Sequence, residues 1–267
     1  MKLLLTHIAD LDGITPIILM NLLNEKFDYE LFDVHDLDPF VFDKIDTDYF
    51  DKYDIVYITD LGVSKECAEK IVNSKYKNKF KIFDHHESRY YLNDYDFAIE
   101  KEEIDGFKVC GTTLFFDYLL KEYNNPILKK ESVLTLVELV RENDTWQFTD
   151  LKEDSMNLNA LFDFYGKETY IDVYTKFLKE NNKFYFTETE LIILKSLKNL
   201  FMSFSSKNLF SIFLLKNKFN STSFSPFSII FLYSVLLVEL SLKNKYPLGF
   251  KILFISLIIL LVSFSLK

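Results

Sequence analysis

Along the first hundred residues, short apolar runs alternate with stretches of helical periodicity. Residues 2–7 (KLLLTH) fit a buried strand. Asp12-Gly13 then reads as a turn, and 14–25 (ITPIILMNLLNE) as a helix with Pro16 tolerated in its first turn. Further strands are predicted over 29–34 (YELFDV), 54–60 (DIVYITD) and 79–84 (KFKIFD), with a helix over 64–73 capped by Ser64. Strands and helices alternating at these lengths predict a doubly wound α/β fold around a mainly parallel sheet. From Gly111 onward the pattern is helical, over 112–123, 131–142 and then about 155–164, 167–180 and 187–200. The expected organisation is an α/β domain over 1–150 and a helical extension or linker over 151–200. An atypical hydrophobic tail follows over 201–267.

That tail differs in kind. It holds thirteen serines, eleven phenylalanines, one glycine and no aspartate. Two runs, 227–242 (FSIIFLYSVLLVELSL) and 252–266 (ILFISLIILLVSFSL), are almost wholly apolar. Spanning a bilayer takes about 20 such residues, so each is at the short limit. Lys251 would snorkel if the second began at Tyr246. A membrane hairpin over 227–266 is one expectation; a reading-frame slip near residue 200 is the other, favoured by the abrupt change and by a Phe/Lys/Ile/Asn/Ser bias suited to AT-rich DNA.

Charge sharpens the contrast. Of forty Asp and Glu residues only Glu239 lies beyond position 200, and the net charge of −9 divides into −15 before that point and +6 after it. So acidic a body repels long nucleic acid unless cations intervene, which points to a small substrate or to bound metal ions. Cys67 and Cys110 form neither a C-x-x-C pair nor a disulfide framework. With no signal peptide visible in MKLLLTH, the expected setting is cytoplasmic.

Three predicted strands end in metal-ligating residue types. The first ends in His7, with Asp10 and Asp12 close behind; the third ends in Asp60, and the fourth in Asp84-His85-His86. Parallel strands bring these endings to one edge, where open α/β sheets bind ligands. Carboxylates and imidazoles without thiolate suit Mn²⁺, Mg²⁺ or Fe²⁺. Two such ions about 3.5–4 Å apart clamp a phosphoryl group and activate water, so the chemistry expected is hydrolysis of a phosphoester or phosphoanhydride.

These residues resemble the DHH phosphoesterases, over roughly residues 1–150. Four blocks match in order: THIADLDG (6–13), VYITD (56–60), FDHH (83–86) and NDTWQF (143–148). The resemblance implies two divalent ions, Mn²⁺ first and Mg²⁺ second. One would be held by His7, Asp10 and Asp60, the other by Asp12, Asp60, His85 and Asp144, with Asp60 as the bridge. It further implies that His86 faces the substrate phosphate and that Asp84 orients His85 through its second ring nitrogen. The substrates implied are small phosphodiesters, short oligoribonucleotides above all, and not long duplexes. Runner-up readings are a pyrophosphatase or polyphosphatase, and a metal- and phosphate-binding remnant without turnover. The family's usual second domain, with its Gly-Gly-His-like segment, has no counterpart in 201–267.

Other residues divide between roles. Thr112 and Thr113, at a helix start where free N–H groups favour an anion, either touch phosphate or simply cap the helix. Arg89 is a candidate phosphate contact. Asp33, His35, Asp36 and Asp38 (in DVHDLD) follow the second strand and read as a solvated loop. Asp43, Asp46, Asp48, Asp51 and Asp54 read as a wet surface, and Trp146 as core or pocket wall.

Overall fold

Five parallel strands run side by side: β1 (Lys2–His7), β2 (Phe27–Phe32), β3 (Ile55–Thr59), β4 (Phe80–Asp84) and β5 (Ala98–Glu100), in the order β2-β1-β3-β4-β5. The structure is a computed structural model that describes residues 1–207, with side chains through Asn199. Residues Met1–Leu200 make one compact unit, to which the description below applies. β1 and β3 are buried along almost their whole length, as strands covered on both faces must be.

Side-chain alternation divides the core in two. Leu4, Tyr57 and Phe83 face one layer, built by α1 (Leu11–Leu22), α4 (Gly111–Tyr123), α5 (Glu131–Thr145), α6 (Lys152–Tyr165) and α7 (Lys167–Glu180). Leu3, Leu5, Val56, Ile58 and Ile82 face the other, closed by α2 (Leu37–Ile45) and α3 (Lys65–Val72). The doubly wound α/β architecture expected from the sequence is therefore present. Leu158, Phe162, Tyr170 and Tyr174 of α6 and α7 lie in the same core cluster as α1 and the sheet. A short antiparallel hairpin, β6 (Glu103–Ile104) and β7 (Phe107–Lys108), precedes α4, and α8 (Glu188–Lys207) follows α7.

Several boundaries differ from the sequence reading, for physical reasons. The bend between β1 and its helix falls at residues 8–10 and not at Asp12-Gly13: Asp10 caps α1, its side chain accepting from Gly13 N at 2.9 Å, so Asp12 sits in the first helical turn. α5 runs to Thr145, which puts Asp144 in its last turn. β2 begins two residues earlier than predicted. The solvated loop expected over 33–38 holds over 33–36, all exposed, and ends at Leu37, where α2 begins; buried Leu37, Val41 and Ile45 of that helix recur every four residues. Asp43, Asp46, Asp48, Asp51 and Asp54 are exposed, as the sequence suggested.

Among the described residues, no helix is long and apolar enough to cross a membrane. The hairpin expected over 227–266 and the frame-slipped tail beyond Lys207 lie outside the described residues.

Candidate metal centre

In a sheet of this order, the crossovers leaving β1 and β3 go to opposite faces and open a crevice between the carboxyl ends of those strands. His7 ends β1, and Asp60 follows β3. Asp60 is buried with φ 55, a left-handed conformation that a non-glycine residue adopts at a cost. Its two carboxylate oxygens serve different neighbours. Oδ2 lies 3.2 Å from His7 Nδ1, while Oδ1 lies 3.3 Å from His85 Nε2.

Each side of Asp60 gathers its own donors. His7 Nδ1 is also 3.2 Å from Asp10 Oδ2, so His7, Asp10 and Asp60 form one group. On the other side, His85 Nε2 is 3.7 Å from Asp12 Oδ2 and 3.5 Å from Asp144 Oδ2. Four sequence segments thus meet around one carboxylate. The eight expected residues His7, Asp10, Asp12, Asp60, Asp84, His85, His86 and Asp144 occupy a single strand edge together with the ends of α1 and α5.

Close backbone packing makes this convergence possible. A Cβ on Gly13 would lie 2.6 Å from the His7 carbonyl carbon, and one on Gly111 would lie 2.6 Å from Asp60 N. Glycine at these two positions lets α1 and α4 start directly against the ends of β1 and β3. The Phe115 ring of α4 meets Tyr57 of β3 and Phe83 of β4, both at 5.2 Å and edge-on. Such pairs contribute about 0.5–1.5 kcal/mol each beyond burial, and they hold the α4 start over Asp60.

The anion at that helix start is a side chain of the protein itself. Gly111 N and Thr112 N each donate to the Asp12 carboxylate at 2.7 Å, and Thr112 Oγ1 donates to Asp12 O at 2.8 Å. Helix-terminal N–H groups stabilise negative charge, so α4 fixes Asp12 in place. Thr113 Oγ1 accepts from Cys110 N at 2.9 Å and donates to Cys110 O at 2.8 Å, which is capping. The hydroxyls of both threonines are thus engaged within the protein, that of Thr112 by Asp12 and that of Thr113 by Cys110.

Asp84 corrects a second expectation. Its Oδ1 accepts from the backbone N of His85 at 2.9 Å and lies 2.7 Å from Nδ1 of His86. It therefore orients the His86 ring rather than that of His85; His86 keeps extended backbone, in which side chains two residues apart lie on the same side. The two imidazoles lie 4.3 Å apart between ring centres. Arg89 donates from Nη1 to the Tyr91 hydroxyl at 2.8 Å. Trp146, expected as core or pocket wall, is 78% exposed and so is not part of the core. The apolar stripe of α5 ends at Val140, and Trp146 lies past the last helical turn.

The electrostatics are those of a crowded anionic site. Burial, and then the neighbouring Asp12 charge, hold the Asp60 carboxyl well above the usual carboxylate range. The same two causes push Asp144 up to about 7. Hydrogen bonds to Asp10 and then Asp60 raise His7 to about 10. Contact with Asp84 raises His86. Asp144 Oδ2 is buried and has no hydrogen-bond partner, a costly state for a carboxylate unless a cation neutralises it. The donor set fits divalent ions: one group is His7, Asp10 and Asp60, another Asp60, His85 and His86, and a third Asp12, Cys110 and Asp144. Cys110 was not anticipated; burial drives its thiol pKa well up. The solvated stretch after β2 contributes nothing here, and Asp38 instead accepts Ser64 N with both oxygens at 3.0 Å.

Over 143 residues the chain is 28% identical to the oligoribonuclease NrnB of Bacillus subtilis (strain 168). The matched stretch takes in 52% of this chain and 35% of the relative, so the chain spans well under two thirds of the length of the curated relative it matches. No family model matches the chain, and no solved structure matches it.

Proposed function

We propose that this chain is a two-metal phosphoesterase of the DHH type that hydrolyses small phosphodiesters, short oligoribonucleotides foremost. The observation that carries this reading is the position of Asp60, with one oxygen toward His7 and the other toward His85. A carboxylate so placed suits a bridge between two cations. His7 and Asp10 would complete one coordination set, and Asp12, His85 and Asp144 the other. Similarity to an oligoribonuclease supports the choice of substrate, and the −15 charge on residues 1–200 argues against long nucleic acid.

Two divalent ions, Mn²⁺ first among them, would supply charge neutralisation at the phosphoryl group and a nucleophile from water at neutral pH. The protein's own groups do the rest. Asp12, fixed by the start of α4, and Asp60, fixed by its backbone, hold their oxygens in place before substrate arrives, so little reorganisation is needed in the transition state. His86 is half-exposed, with Nδ1 engaged by Asp84. That leaves Nε2 to carry a proton to the departing oxygen, and the hydrogen bond to Asp84 favours the protonated ring. A cytoplasmic setting belongs to this reading, and the free, buried Cys67 and Cys110 are compatible with it.

The test uses the full chain with Mn²⁺ and, in parallel, an aryl phosphodiester and a set of dinucleotides. Metal-dependent turnover of both, lost in Asp60→Ala, is the expected result. Turnover that survives Asp60→Ala or persists in chelator would sink the assignment. Cleavage of the aryl ester alone would keep the chemistry and remove short RNA as the substrate.

A further inference from the structure

We infer that Trp146 is a stacking platform for a nucleobase of the substrate, held beside the metal centre by a braced turn; this rests on the phosphoesterase reading above. Trp146 is the chain's one tryptophan. At 78% it is also the most exposed large apolar side chain among the described residues. An indole left in water gains nothing for the fold, so burial does not explain its place.

Its backbone supplies the second observation. Trp146 ends α5 with φ 56, a conformation unfavourable for a bulky residue and maintained only where the surroundings enforce it. The residues on both sides are tied down. Thr145 Oγ1 donates to Arg141 O at 2.7 Å, and Gln147 N donates to Thr145 Oγ1 at 3.3 Å. Gln147 Oε1 accepts from Lys108 N at 2.9 Å and from Arg141 Nη1 at 3.2 Å. Arg141, itself buried, is fixed through a two-pronged pair with Glu138 at 2.6 and 2.8 Å. Phe148 presents its ring edge-on to the indole, with 6.0 Å between centres. The ring is thus exposed on a mount that does not need ordering when a ligand arrives.

Location decides what the ligand is. Asp144, a donor of the metal centre, lies two residues earlier, within about 7 Å along the chain. A substrate whose phosphate sits among the donors has its sugar and base at about that reach. Every base has a π-face, so stacking on an indole binds nucleotides without choosing among sequences. The chemical class expected is a nucleoside phosphate or short oligonucleotide, with the base adjoining the bound phosphate on Trp146.

A single tryptophan makes the platform directly observable. Full-length protein with Mg²⁺ is titrated with AMP, ribose 5-phosphate and inorganic phosphate while indole fluorescence is followed. Quenching by AMP alone is expected; equal quenching by ribose 5-phosphate, or none by any of the three, overturns the proposal. In parallel, Trp146→Ala should raise KM for a dinucleotide about ten- to a hundredfold. It should leave KM for an abasic analogue of that dinucleotide unchanged, and Trp146→Phe should restore most of the loss. A dinucleotide cleaved equally well by Trp146→Ala overturns the platform and leaves the hydrolase reading intact. Quenching by AMP in a protein that cleaves nothing supports the platform and removes the hydrolase.

Discussion

Two stretches of this protein share a chemistry on paper and differ in everything else. DVHDLD, after β2, offers Asp33, His35, Asp36 and Asp38; the endings of β1, β3 and β4 offer His7, Asp10, Asp12, Asp60, His85 and Asp84. In the first, Asp33, His35 and Asp36 are exposed to water and Asp38 is spent on a helix start. In the second, buried carboxylates crowd around imidazoles, and two oxygens, Asp84 Oδ2 and Asp144 Oδ2, have no hydrogen-bond partner. Residue type alone does not make a site. What separates the two is convergence of several elements and withdrawal from solvent, which together crowd carboxylates that a proton or a bound cation would neutralise.

The widest gap between the regions should appear on removing one carboxylate from each. Asp60→Ala takes a shared donor from both groups, a loss of several kcal/mol of transition-state stabilisation, or about a thousandfold or more in kcat/KM. His35→Ala should leave kcat/KM within about twofold, since surface changes away from the site rarely act on it. Comparable losses from the two variants would mean that the solvated stretch belongs to the site after all.

A smaller effect, again confined to the site, is expected from Gly111→Ala. The new methyl would meet Asp60 N at 2.6 Å and Asp60 Cα at 2.7 Å, so backbone must move. Overpacking of this kind costs about 1–3 kcal/mol, readable in a denaturant melt. Because Gly111 N also holds Asp12, turnover should fall by more than the stability loss explains. A variant with wild-type stability and activity would show that the close approach of α4 is dispensable.

How much of this was legible beforehand follows the same division. Strand endings are written in the sequence, because an apolar run that stops at Asp60 or Asp84 announces both a strand and its edge. Parallel pairing then brings the endings together without any side-chain detail, which is why His7, Asp10, Asp12, Asp60, Asp84, His85 and His86 were expected at one edge, whereas Asp144 entered only through the family resemblance. Contacts set by the local chain path could not be read in this way. Asp84 binds His86 rather than the ring of His85 because of the chain path after β4. The α4 threonines serve Asp12 and the cap because Gly111 brings that helix start against Asp60. No spacing signals the left-handed backbone of Trp146, although its place outside the α5 stripe was visible. The helix α2 was legible in Leu37, Val41 and Ile45 but was masked by the aspartates around them.

Proton binding sharpens the contrast at a smaller scale. Asp144 in the folded, metal-stripped chain keeps its proton up to about pH 7, whereas an unfolded Asp releases it near about 4. The folded state therefore binds more protons in that window, and this group makes it less stable as pH rises through it. His7 adds a second window. Its folded pKa of about 10 exceeds the unfolded value of about 6.5, so its stabilisation is complete below about pH 6.5 and lost as pH rises through about 10. The metal-stripped protein should melt lower at pH 8 than at pH 5, and Mn²⁺ should raise Tm more at pH 8. Asp144→Asn should flatten the lower window. A Tm that climbs from pH 5 to pH 8 without metal would contradict the crowded-carboxylate account.

The least effect belongs to the solvated stretch, where Asp38 has a job that is structural. Both of its oxygens accept the N–H of Ser64, the residue that caps α3, at 3.0 Å. Asp38→Ala leaves that donor without its carboxylate, at a cost of about 1 kcal/mol. In a unit of this size that lowers Tm by about 2–4 °C. Asp36→Ala, four residues past the end of β2 and without a side-chain cap bond, should change Tm by less than that. Neither should alter metal-dependent turnover. If Asp38→Ala reduced kcat while sparing Tm, the stretch after β2 would have to be counted with the other strand ends. The comparison between a wet acidic loop and a buried acidic site would then fail at its weakest point.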